Sequence, residues 1–141
     1  MTSGMTHDLD RFVTAQADSY ADALAELRAG AKRSHWMWFI FPQIAGLGHS
    51  AMAKHYAISS LDEARTYLAH PILGPRLIET SIVVAAAKGS AEAIMGGIDA
   101  IKLRSSMTLF AAAADDPTPF TAVLDRFYAG KRDPATLAAI G

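Results

Sequence analysis

Lys32, Arg33 and His35 stand immediately before Trp36 and Trp38 in the run AKRSHWMWFIFPQIAGLG, residues 31–48. Two cations, a side chain that titrates near neutral pH and two planar rings suit capture of an anionic small molecule. The cations would hold a phosphate, an indole would stack on a ring, and His35 is the candidate acid or base. Gln43, placed after Pro42 where the chain is expected to be extended, can offer its amide to the same ligand. Lys102 and Ser105, in IDAIKLRSSMTLF, add a cation and a hydroxyl. Arg76, turned into a cleft, would complete an anion clamp through its guanidinium fork. Lys32, Arg33, Trp36, Trp38, Gln43, Arg76, Lys102 and Ser105 are therefore the ligand-binding candidates, and His35 the catalytic one.

Each of these residues also has a plain structural role. The run HWMWFIF is apolar in every phase, so its periodicity decides neither helix nor strand, and burial as a central core element explains it without a ligand. Solvated charges before a buried segment explain Lys32 and Arg33, and a serine within a helix commonly bonds the carbonyl one turn back.

Other chemistries find less support. GLGHSA, residues 46–51, matches the spacing of a dinucleotide fingerprint, but no βαβ pattern surrounds it. The histidines at 7, 35, 49, 55 and 70 form no tight metal-ligand spacing, and the chain has no cysteine. No metal and no cofactor are expected. Ser105 lacks the strand-to-helix elbow of a serine hydrolase.

The elements that must position these groups are helical. Residues 8–30 read as a short first turn and a helix stopped at Gly30, and Ser50 caps a short helix through Tyr56. Ser60 and Glu63 stand at capping-box spacing before a helix closed at Pro71, with His70 complementing its C-terminal end. Further helices are expected from Pro75, from Asp99, from Thr118 as cap with Pro119 as first helical residue, and from Asp133 as cap followed by Pro134. The expectation is an all-α, compact single domain of six or seven short helices over residues 8–141, after a flexible tail at 1–7.

A chain of 141 residues, 51% hydrophobic and 19% charged, suffices for one core. Its net charge of −1 gives no global attraction to nucleic acid, which is therefore not the expected partner. No apolar run approaches a membrane span, and the N-terminus lacks a signal-peptide pattern, so a cytoplasmic location is expected.

HWMWFIFPQIAGLG, YAISSLDEARTYLAHPILGPRL and IDAIKLRSSMTLF together resemble an uncharacterised bacterial family, DUF1810, sometimes labelled calpastatin-like. The resemblance extends from about Asp8 to Leu137. It implies a mostly α-helical single domain and carries no activity. The functional expectation thus rests on the residues: a small metabolite-binding protein, or an enzyme, for a phosphorylated or nucleotide-like ligand. The alternative is a noncatalytic protein-interaction module in which the aromatic block is core or interface.

Overall fold

The computed structural model describes residues 7–141. Its helices are α1 (Asp10–Ala17), α2 (Tyr20–Arg28), α3 (Met37–Ile40), α4 (Ala51–His55), α5 (Leu61–Ala69), α6 (Leu73–Ala86), α7 (Ala91–Met95), α8 (Gly97–Ala113), α9 (Thr118–Tyr128) and α10 (Pro134–Ile140). The all-α class is as expected, but ten helices among the described residues replace the six or seven anticipated. The excess comes from short elements. α1 is a two-turn helix where only a first turn was read, α3 is a single turn inside the aromatic run, and α7 stands where a turn was expected. Such segments are marginal alone and too short for periodicity to reveal; burial of Phe12, of Met37 and Phe39, and of Ile94 and Met95 stabilises them. The tail expected at 1–7 lies, apart from His7, outside the described residues.

Local capping behaves as the residue types dictate at several ends. Ser50 Oγ accepts from Ala53 N at 3.1 Å, Ser60 Oγ from Glu63 N at 3.1 Å, and Asp133 Oδ2 from Thr136 N at 3.0 Å. One end differs. Asp116, not Thr118, holds the start of α9, its Oδ1 accepting from Thr118 N at 3.1 Å and from Thr118 Oγ1 at 2.6 Å. His70 closes α5 as expected, its N–H donating to Tyr67 O at 3.2 Å, and its side chain also serves the next helix, Nδ1 accepting from Ile72 N at 3.1 Å and Leu73 N at 3.2 Å. At the α5–α6 turn the chain passes so closely that a Cβ on Gly74 would lie 2.1 Å from the Leu68 carbonyl oxygen.

α8 is the centre. Its residues from Ser105 to Ala111 are buried, while Ile98 and Ile101 near its start are exposed, and it packs against α5, α7, α9 and α10. Rings cross the core in sequence, Phe39–Tyr56, Tyr56–Phe12, Phe12–Tyr67, Tyr67–Phe110 and Phe110–Phe120, with centroids 5.2–6.0 Å apart. A buried amide ties three helices and α3 together. Gln16 Nε2 donates to the Phe39 carbonyl at 2.8 Å and to Tyr67 Oη at 3.1 Å, while its Oε1 accepts from Arg76 at 3.4 Å. Extended structure among the described residues is limited to one parallel bridge between Ile44 and Ile58. There Ala45 N donates to Ile58 O, and Ile58 N to Gln43 O, each at 2.8 Å.

Candidate functional site

The aromatic run owes its shape to a carboxylate from another helix. α2 ends before Gly30, whose φ of +72° suits glycine, and Lys32 N donates to Ile94 O at 2.8 Å. Glu26, in the last turn of α2, then gathers the next residues. Its Oε1 accepts from Arg33 N at 2.6 Å, Ser34 N at 2.9 Å and Trp36 Nε1 at 3.0 Å, and its Oε2 from the Ser34 hydroxyl. Burial opposes ionisation of Glu26, but the bonds from Ser34, the Arg33 amide and Trp36 outweigh it and hold the carboxyl down at about 2. The turn so fixed sends Trp36, 1% exposed, into the core with Met37, Phe39, Ile40 and Phe41. Most of the aromatic block is therefore core.

The lysines meet at one acid. Lys32 Nζ lies 3.0 Å from Asp99 Oδ2, and Lys102 Nζ lies 3.6 Å from Asp99 Oδ1. Lys32 is nearly enclosed: it also donates to Ser34 O at 2.7 Å and lies 4.9 Å from the Trp36 ring centroid. Lys102 is more open, its side chain 26% exposed against 9% for Lys32, and lies 5.7 Å from the Trp38 ring centroid. Asp99 sits in the first turn of α8, where a negative charge also complements the helix dipole.

Trp38 is half-buried and, among the described residues, pairs with no other aromatic ring. It borders a depression of about 120 Å³ shared with Tyr56, Gln43 and the Ala45–Gly46 backbone. A second depression of about 280 Å³ adjoins it, lined by Lys102, Ser105, Ile98, Ile101 and again Gln43. The Gln43 side-chain amide makes no hydrogen bond with another described residue.

The remaining candidates have other surroundings. Ser105 Oγ donates to Asp133 Oδ2 at 3.2 Å and so supports the start of α10. Arg76 lies over the Tyr20 ring at 4.6 Å and bonds Gln16, so it belongs to the α1–α2–α6 packing and not to the lysine pair. Arg33 and His35 are exposed, and His35 has no hydrogen-bond or ion-pair partner among the described residues. The structure thus brings together Lys32, Trp36, Trp38, Gln43, Lys102 and Ser105. Glu26 and Asp99 organise the site and were not among the expected site residues. Asp99 had a visible signal, its position three residues before Lys102 on one helix face. Glu26 had none, because its partners lie seven to ten residues on, beyond a helix end.

A family model described as "Protein of unknown function (DUF1810)" matches residues 6–140. The chain is 53% identical to the conserved hypothetical protein Rv1873 from Mycobacterium tuberculosis, whose crystal structure superposes with a TM-score of 0.92, covering 94% of this chain and 96% of that one. No curated protein matches the chain.

Proposed function

Because the chain belongs to the DUF1810 family, described only as of unknown function, we propose its role from the groove itself: binding of a small phosphorylated or nucleotide-like metabolite. The observation that carries this reading is Trp38, an indole free of other rings, with the Lys102 ammonium 5.7 Å from its centroid at the junction of two depressions. An indole face and an adjacent cation match a ligand that is planar at one end and negative at the other. Lys32, held by Asp99 and Ser34, supports the site from behind and leaves contact with the anion to Lys102. Trp36, enclosed in the core, leaves stacking to Trp38. His35 has no orienting partner among the described residues and takes no step in this binding role.

Tryptophan emission titrated with inorganic phosphate, sugar phosphates and mononucleotides tests this. A saturable change is expected, absent in Trp38→Phe and shifted to at least tenfold higher concentration in Lys102→Ala. Affinity unaltered by Lys102→Ala, or no saturable response from any of these ligands, refutes the reading.

A second reading has its own observation. Ile98 and Ile101, 73% and 68% exposed, project beside Lys102 on the outer side of α8. Exposed apolar side chains grouped in this way suit a protein partner. That role, noncatalytic recognition at α8, predicts loss of partner binding in Ile101→Ser with metabolite titrations silent.

A further inference from the structure

α6 has its polarity reversed for a surface helix. Its inward face buries Thr80 and Ser81 together with Leu73, Leu77 and Val84, whereas Pro75, Ile78, Ile82 and Ala86 stand exposed at helical spacing on the outer face. Ile72, Ile78 and Ile82 are 42%, 38% and 55% exposed. Glu79 is the charged residue of that outer row, and the Tyr20 hydroxyl of α2 donates to it. A helix that is apolar on both faces is ordinarily covered on both. We propose that the cover is a second copy of this chain, its α6 packed antiparallel to this one about a two-fold axis.

Charge selects that occupant. Near the start of α6, Ile78 shares a depression with Asp115, Asp116 and Arg65, two carboxylates against one guanidinium. At the other end Lys88 is exposed, and Arg126 donates through Nη2 to Ala87 O at 3.2 Å and Gly89 O at 3.1 Å, a cation held at the carbonyl end of the helix. The acids nearest these cations in sequence are turned elsewhere: Glu92 lines a depression with Tyr128 and Arg104, and Asp125 lies close to Gly130. The face is thus acidic at one end and basic at the other. An antiparallel two-fold lays each acidic end on the partner's basic end, and a parallel pairing would lay like on like. A lipid surface or a nucleic acid would call for cations along the whole face.

Shape agrees with charge. An axis passing between Ile78 and Ile82 sets Ile78 against the partner's Ile82 and Pro75 against the partner's Ala86, so a bulky side chain meets a small one at each end. A stable interface takes about 800 Å² from each partner. With 14 residues, α6 is about 21 Å long, and its outer row supplies only part of that area. The rest falls to the flanking surface where the opposite charges stand. α6 lines neither depression of the metabolite groove, so this proposal does not depend on that reading.

Sedimentation velocity of the full chain, from low to high micromolar concentration, tests the pairing. A species of twice 15.0 kDa is expected. Ile82→Glu should raise its dissociation constant at least tenfold with the far-ultraviolet circular dichroism unchanged, since Ile82 is exposed in the monomer. Lys88→Glu and Asp115→Lys should each raise the constant at least threefold. Their combination, which sets opposite charges against each other again across the two-fold, should bring it back towards the parent value. A dimer indifferent to Ile82→Glu, or a double variant weaker than either single one, overturns the proposal. A monomer at every concentration also overturns it, and capture of that monomer by phosphatidylglycerol vesicles, lost in Ile82→Glu, would identify the cover as a membrane instead.

Discussion

Replacing Glu26 by Gln tests whether one carboxylate orders the turn that precedes the aromatic block. Glu26 receives the Arg33 and Ser34 amides, the Ser34 hydroxyl and the Trp36 indole N–H. A glutamine keeps the shape, loses the charge, and presents an NH2 group to donors on one side. Held at about 2 against an ordinary 4.5, the carboxyl corresponds at face value to about 3 kcal/mol. Solvent reaches the half-buried group, and screening reduces this to about 1–2 kcal/mol. The sign follows from a folded-state pKa below the unfolded one: the contribution is complete above pH 4.5 and is lost as pH falls towards 2. Urea unfolding at pH 7 should therefore show Glu26→Gln about 1–2 kcal/mol less stable than the parent, with the difference shrinking between pH 4.5 and 2. Equal stability at pH 7, or a gap that stays constant down to pH 2, would refute the argument.

Two further substitutions test the packing. Gln16→Leu removes the donor that satisfies the buried Phe39 carbonyl and the Tyr67 hydroxyl, at an expected cost of about 2 kcal/mol; a urea midpoint equal to the parent's would contradict the hub assigned to Gln16. Gly74→Ala should lower the melting temperature even though alanine favours helix by about 1 kcal/mol, because its Cβ would meet the Leu68 carbonyl oxygen at 2.1 Å; a higher melting temperature would show that the α5–α6 turn yields.

The parts of this fold that were legible in the sequence are those settled by neighbours in the chain. Ser50, Ser60 and Asp133 cap their helices because the amides they accept from lie three residues away, and the all-α class follows from several such signals in succession. The helix count was missed where short turns depend on burial: α3 and α7 together span nine residues, too few for a period to stand out. His70 closes α5 as its neighbours suggest, but that its imidazole also accepts from the first amides of α6 follows from the backbone path alone. At the site, the grouping of cations with indoles was visible in KRSHWMW. That Lys32 and Lys102 converge on Asp99 depends on α7 and α8 bringing residues 94–102 against residue 32, which no local pattern records. The separation of Trp36 from Trp38 likewise depends on Glu26.

The groove has walls of unequal persistence. One is α8, seventeen residues whose stretch from Ser105 to Ala111 is wholly buried, so that the amides there are expected to open to solvent only with the whole protein. The other is a loop anchored by the buried Ile44 and Ile58 and by the Tyr56 ring, but it carries the five-residue α4, which buries no side chain, so it opens more readily than the buried part of α8. Breathing of the groove is therefore one-sided. In hydrogen exchange an occupant would slow the amides of residues 43–58 while leaving those at the centre of α8 unchanged, so the loop wall registers occupancy even where the overall structure does not move.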